Sequence, residues 1–294
     1  MSSQSQIDLD VIAKFTILSL AWGVSFLWVA LVIDAFGWVG AVTIRSFIAS
    51  AALYGIAKAM KKPLDFSIGA KPFFIVGFTT VALQLIGFSV AVPRIGTALT
   101  AIVVGAIPLF SAVLGKLWGI EHISRLGVGG LFLGFFGIIL LVGFPKEPFT
   151  PTFILGIAIA LIGSIASAYG SNYSKRSLHS VGPWEQVIGS FFFGGVITAP
   201  LLLIAPFERT PSVLDWAYVI SLALVCSSFC YVLYYGLIAK IGPTKSISVE
   251  FIVTVIAVLI GALYLDEAIS AIQLVGGFFV LVGCGLIFTK PKLV

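Results

Sequence analysis

Ten apolar stretches separated by short polar connectors divide the 294 residues, and that division leaves few folds open. They run approximately 11–33, 38–59, 72–92, 97–118, 124–144, 152–174, 183–206, 213–238, 244–265 and 269–289. A helix needs about 20 apolar residues to cross roughly 30 Å of hydrocarbon, and each stretch is close to that length. The breaks carry turn or charge signals, among them "KAMKKPLDFSIGAKP", "PRIG", "FPKEPFTP" and "AKIGPTK". Composition points the same way: hydrophobic residues make up 60% and charged residues 10%, against roughly 45–50% and 25% in a soluble domain. The expected fold class is therefore all-α integral membrane, with ten transmembrane helices.

The polar start, "MSSQSQIDLD", has no positive region ahead of a short apolar core, so the first segment is expected to stay in place rather than be cleaved. Cys226, Cys230 and Cys284 all fall within apolar segments and read as small packing residues, with neither disulfide nor metal spacing. A net charge of +5 could suggest nucleic acid, but the basic residues are dispersed among connectors. Orientation in the bilayer accounts for them better. With the N-terminus inside, thirteen lysines and arginines fall on the inner side, from Lys14 to Lys292. Three, Arg94, Lys146 and Arg209, fall outside, and Arg45 lies within a helix. That bias predicts a multi-pass protein of the cytoplasmic membrane with both termini cytoplasmic.

Shifting the chain by 146 residues without a gap lays "RIGTALTAIVVG" from Arg94 on "KIGPTKSISVEF" from Lys240, and "GKLWGIEHIS" from Gly115 on "GALYLDEAIS" from Gly261. Gly96 pairs with Gly242, Glu121 with Glu267, Ser124 with Ser270 and Gly137 with Gly283. This predicts two repeats, 1–144 and 152–294, joined by a connector at 145–151. Five helices per repeat is an odd number, so the second copy has to enter the membrane from the opposite side. Inverted repeats of this kind are characteristic of secondary transporters, whose halves rock about a site near the midplane.

On these residues the chain resembles the drug/metabolite transporter superfamily and, within it, the EamA-type ten-helix permeases. The resemblance rests on "AWGVSFLWVALV" in the first segment, Arg45 in "TIRSFIASAAL" of the second, and the paired "GIEHIS" and "LDEAIS". It implies a central cavity lined by segments one, three, four, six, eight and nine, with five and ten peripheral and often at a dimer contact. It also implies small-metabolite transport without ATP, frequently efflux of amino acids. The sequence has no nucleotide-binding loop of the GxxxxGK[ST] kind, and no cofactor is expected.

Candidate substrate-binding residues follow from spacing and depth. Thr80, Gln84 and Phe88 recur every four residues in the third segment and map by the repeat onto Cys226, Cys230 and Tyr234 of the eighth. Ser227 and Tyr231 are again four apart. Such polar stripes face either a cavity or a neighbouring helix. Trp22 lies near mid-membrane with Phe26 one turn on, either as an aromatic wall or as plain packing. Tyr169 and Asn172 in the sixth segment face the same alternatives.

Two charges lie within the membrane, where a charge is costly and is a functional hypothesis by default. Arg45 is expected either to tie a helix end or a carboxylate, in a helix that the resemblance places mostly behind the cavity, or to act with Glu250 as a charge for substrate or coupling. Glu250 has no carboxylate counterpart, since Val104 occupies the matched position. It either holds a substrate ammonium, takes up a proton, or pairs with Lys245. Glu121 and Glu267 are read as corners at opposite surfaces, with Ser124 and Ser270 capping the helices that follow. Gly130, Gly134, Gly276 and Gly277 would permit a homodimer through the fifth and tenth segments.

The leading expectation is a permease for small metabolites, favouring amino acids with hydrophobic or aromatic side chains. Exchange of phosphorylated or nucleotide sugars ranks lower, because several basic groups would be needed and only Arg45 is available. An enzyme is not expected, since His122 and His179 both fall at connectors, and a non-transport membrane scaffold or receptor is the remaining alternative, one that the repeat does not support.

Overall fold

The computed structural model describes residues 9–142, 150–265 and 270–289, with every side chain in them except those of residues 26–27, 96–98, 101, 257–258 and 260–265. Regular structure among these residues is helical throughout. Six helices are long and apolar enough to cross a membrane: Trp28–Ala59, Ala70–Ile95, Arg125–Val142, Pro151–Ser177, Pro183–Leu203 and Val213–Ile241. Ile102–Leu117 and Ala271–Ile287 are shorter apolar helices.

The first helix, α1 (Leu9–Ala59), takes in two of the predicted segments and breaks at Gly37, whose φ of 66° and ψ of 174° suit only a residue without a side chain. A loop from the second half of the chain holds this break. Glu208 and Arg209 donate backbone N–H groups to the Ala35 carbonyl, and the Arg209 guanidinium bridges Asp34 and Asp215. Next, α2 (Ala70–Val76) passes through a π-helical stretch, Gly77–Leu83, into α3 (Gln84–Gly105). After α4 (Ile107–Leu117) and α5 (Arg125–Val142), α6 (Pro151–Ser177) records the path of everything before it. Gly170 faces Thr79 and Thr80, Gly163 faces Leu83 and Gln84, and Gly156 faces Arg94 and Ile95. Then Ser164 bonds the Val103 carbonyl, and Asn172 bonds Ser111. The neighbours descend along α6 and then ascend, so the chain reverses direction between Ile95 and Val103.

Helix α7 (Pro183–Thr198) ends in a tight turn at Ala199–Leu203, and α8 (Val213–Ser221) enters a second π stretch, Leu222–Phe229, before α9 (Cys230–Ile241). The two π stretches nearly superimpose under the 146-residue shift, since Gly77 and Leu83 map onto Ala223 and Phe229. Gly242, with φ of 90°, separates α9 from the short α10 (Pro243–Ile247); a further break at Ser248 precedes α11 (Val249–Leu265), and α12 (Ala271–Ile287) completes the bundle.

Helices α5 and α12 pack through glycine in a reciprocal pattern. A Cβ on Gly130 would lie 2.6 Å from the Gly283 carbonyl, and one on Gly283 would lie 2.6 Å from the Gly130 carbonyl. Gly137 and Gly276 block each other in the same way, at 2.7 Å. The repeat pairs Gly130 with Gly276 and Gly137 with Gly283. Each glycine therefore meets the other's counterpart, as residues do across a two-fold axis. These glycines close a seam inside one chain, so Gly130 and Gly276 are already occupied within it.

Both ends of the helical bundle lie at one face. There Ser124 Oγ and Thr289 Oγ1 share a hydrogen bond of 2.8 Å, Phe15 meets Phe288 edge-on, and Asp10 pairs with Lys14 and Lys240. The Ser124 hydroxyl also accepts from the Gly127 N–H, and Ser270 forms a reciprocal capping box with Gln273, so each serine starts the helix after it. Asp266 and Glu267 lie outside the described residues.

Candidate functional site

A cavity of about 110 Å³ opens where α1, α3, α9 and α11 converge. The first limb of α1 contributes Trp22, Ser25 and Val29, and its second limb contributes Arg45. From α3 come Gln84, Leu85, Phe88, Ser89, Val92, Thr100 and Val104. Tyr231 of α9 and Glu250 and Val253 of α11 close it. Arg45 and Glu250 are each only 8% exposed, so a guanidinium and a carboxylate share one enclosed space.

Each charge is held by its surroundings. Arg45 Nε donates to Ser227 Oγ at 2.9 Å, and Ser227 itself is fully buried on the second π stretch. That bond occupies one edge of the guanidinium and sets its direction, since the group is a planar fork with five donors. Glu250 stands in the first turn of α11, just beyond the break at Ser248, where the positive end of a helix favours a carboxylate. Among the described residues no salt bridge joins Glu250 to Arg45 or to Lys245. Lys245 instead lines a depression at the terminus-bearing face with Glu121, Lys175 and Lys240.

The apolar part of the wall is aromatic. The Trp22 and Tyr231 rings lie 5.3 Å apart, and the Trp22 indole N–H donates to the Cys226 carbonyl at 3.1 Å. This contact ties the first limb of α1 to the π stretch before α9. Phe191 packs edge-on beneath Tyr231 at 4.9 Å.

Of the residues expected from sequence, the structure brings Trp22, Gln84, Phe88, Tyr231, Arg45 and Glu250 to the cavity. Ser227 is one bond behind it, through Arg45. Others sit elsewhere. Thr80 donates to the Val76 carbonyl and approaches the Tyr235 hydroxyl, which places it in the core. Cys230 is fully buried in that core, and Tyr234 turns behind Trp22 to share a 2.7 Å hydrogen bond with Ser171. Tyr169 meets Trp118 edge-on, and Asn172 bonds Ser111, both well away from the cavity. The Phe26 side chain and Glu267 lie outside the described residues. Arg45 is the chief correction. The second limb of α1 reaches the cavity rather than standing behind it, and α6 contributes no lining residue. Sequence alone does not single out Ser25, Ser89 and Thr100, small hydroxyl residues whose only signal is their place on helices that also carry Trp22, Gln84 and Val104.

Comparison with known proteins places this geometry in context. The model of the family described as "EamA-like transporter family" matches residues 154–289. An inner membrane transporter of Escherichia coli (strain K12), YedA, is 31% identical over 182 residues, 61% of this chain and 58% of YedA. The match thus spans less than two thirds of that relative. Protein PecM of Dickeya dadantii is 23% identical over 70% of both chains, and an Archaeoglobus fulgidus transporter is 20% identical over 94% of this chain and 99% of its own. A solved crystal structure shares the fold with a TM-score of 0.79 at 15% identity, covering 95% of this chain and 96% of the other.

Proposed function

We propose that the chain belongs to the drug/metabolite transporter superfamily and is a secondary transporter carrying amino acids with hydrophobic or aromatic side chains across the cytoplasmic membrane. The observation that carries the reading is the shared cavity of Arg45 and Glu250 beside an aromatic wall. A zwitterion offers a carboxylate to the guanidinium, which suits carboxylates geometrically, and an ammonium to Glu250. Trp22, Phe88 and Tyr231 then face the side chain. The cavity is well under the roughly 300 Å³ at which pockets for drug-sized ligands begin, which favours a small substrate over a nucleotide sugar. A phosphorylated ligand would also meet Glu250 as an uncompensated negative charge.

Alternating access in this reading comes from ten passes arranged as two inverted halves, 1–144 and 152–294. Its supports are the reciprocal glycine contacts, the matched π stretches and the reversal between Ile95 and Val103. Breaks in the helices beside the cavity, at Ser248 and at Ala106, fit the discontinuous helices on which such sites are built. The excess of lysine at the terminus-bearing face fits cytoplasmic termini.

Uptake of labelled phenylalanine, leucine and glutamate into sealed proteoliposomes tests this. Saturable flux of the first two, abolished by Arg45→Gln, is the expected result. Flux of sugar phosphates in preference to amino acids, or chemical conversion without translocation, overturns it.

A further inference from the structure

At the terminus-bearing face the connector after α4 crosses the start of α10. Glu121 Oε2 accepts the Thr244 backbone N–H at 3.0 Å, and a Cβ on Gly242 would overlap the same carboxylate. On the other side of Glu121 stands Asn172, fully buried on α6. Its amide nitrogen donates to the Ser111 carbonyl, the Ser111 hydroxyl and the Ala168 carbonyl, at 3.3, 2.9 and 2.9 Å. Two of those acceptors are carbonyls, which fixes the nitrogen on that side. Among the described residues, Asn172 Oδ1 is therefore a buried acceptor with no donor, a costly state. A methyl on Gly115 would lie 3.1 Å from that oxygen and 3.4 Å from Glu121 Oε2, so both oxygens face one gap.

Two acceptors facing one gap are relieved when a donor stands between them, and a proton carried by one of the two supplies it. We propose that the gap is a proton site: Glu121 takes up a proton on Oε2, donates it in a hydrogen bond to Asn172 Oδ1, and so relaxes its hold on the Thr244 N–H. No bond other than O–H forms, and the proton comes from solvent through the depression that Glu121 lines. Hydrogen bonds to a charged acceptor are roughly twice as strong as neutral ones, so neutralising Glu121 weakens the Thr244 contact. Thr244 lies six residues before Glu250, across the break at Ser248, so release at this face reaches the helix that carries the cavity's carboxylate.

The charged groups around Glu121 oppose one another. Lys175 of α6, Lys240 of α9 and Lys245 of α10 line the depression with it, as does His122 of its own connector. Burial holds the Glu121 carboxyl above its ordinary value, against the Thr244 bonds and the two nearer lysines, Lys245 and Lys175, which pull it down. The carboxylate form fastens α10 and the acid form frees it, so the contact weakens as pH falls. Using that release to gate flux rests on the transport reading; the proton site itself does not.

Backbone hydrogen exchange of peptides within 242–250, measured from pH 5 to 8 in nanodiscs without substrate and corrected for intrinsic rates, tests the proposal. Wild type is expected to lose protection as pH falls. Glu121→Gln should hold the acid-like level throughout. Asn172→Ala removes the acceptor of the acid form and should lower the midpoint by about one pH unit, the equivalent of one hydrogen bond. Gly115→Ala places a methyl against both oxygens while leaving the Glu121 and Asn172 side chains themselves unaltered, and should shift it in the same direction. An unchanged midpoint in both variants overturns the proposal, as does protection that responds to sodium chloride against choline chloride at fixed pH, which would make the occupant a metal cation. Titration without amino-acid uptake would sink the transport reading alone, and uptake without titration would sink only the proton site.

Discussion

The indole N–H of Trp22 donates to the backbone carbonyl of Cys226 at 3.1 Å, so the cavity's central ring is fixed by the second half of the chain. Trp22→Phe keeps an aromatic ring and deletes that bond, worth about 1 kcal/mol. Uptake kinetics should show KM rising roughly five-fold with the protein still folded. An unchanged KM would mean that the ring packs without being oriented.

Arg45 and Ser227 form the second such pair. Ser227→Ala leaves the guanidinium in place but free to turn, and amino-acid flux should fall about three- to ten-fold, whereas Arg45→Lys should lose more because a lysine cannot make the planar two-sided contact. Equal losses in the two variants would show that only charge matters.

In the proposed reading Glu250 meets the substrate ammonium. Wild type should therefore bind phenylalanine more tightly than phenylpropionate, which lacks that group, and Glu250→Gln should erase the difference. Competition of each compound against labelled phenylalanine measures it. A preference that survives in the variant removes Glu250 from recognition.

The seam between α5 and α12 gives a stability prediction. Gly283→Ala places a methyl against the Gly130 carbonyl and the Gly134 N–H, and overpacking of this kind costs about 1–3 kcal/mol. Thermal unfolding in detergent should drop by several degrees for Gly283→Ala and stay level for Gly129→Ala, which meets nothing within 4 Å. A matching drop in both would point to backbone effects rather than contact.

Much of this fold is legible in the sequence, because the length of an apolar run and the glycines and prolines that end it act locally. The site is less so, and Thr80 shows why. It shares a four-residue spacing with Gln84 and Phe88, which in an α-helix means one face. The stretch Gly77–Leu83 is π-helical, with a wider turn, so Thr80 rotates into the core while Gln84 and Phe88 reach the cavity. The helix that carries Arg45 reaches the cavity for a different reason. Depth along a helix can be counted from its ends, but the side it presents depends on how the chain bends at Gly37, and the loop that fixes this bend lies some 170 residues away.

The reciprocal glycines of α5 and α12 carry a corollary. A surface on which Gly130 seeks the counterpart of Gly137, and Gly137 that of Gly130, is self-complementary. Under the proposed inverted halves, one half made alone would already hold both sides of the joint. The same pairing sets Glu250 opposite Val104, so the two halves of such a joint would share their seam and differ at the cavity.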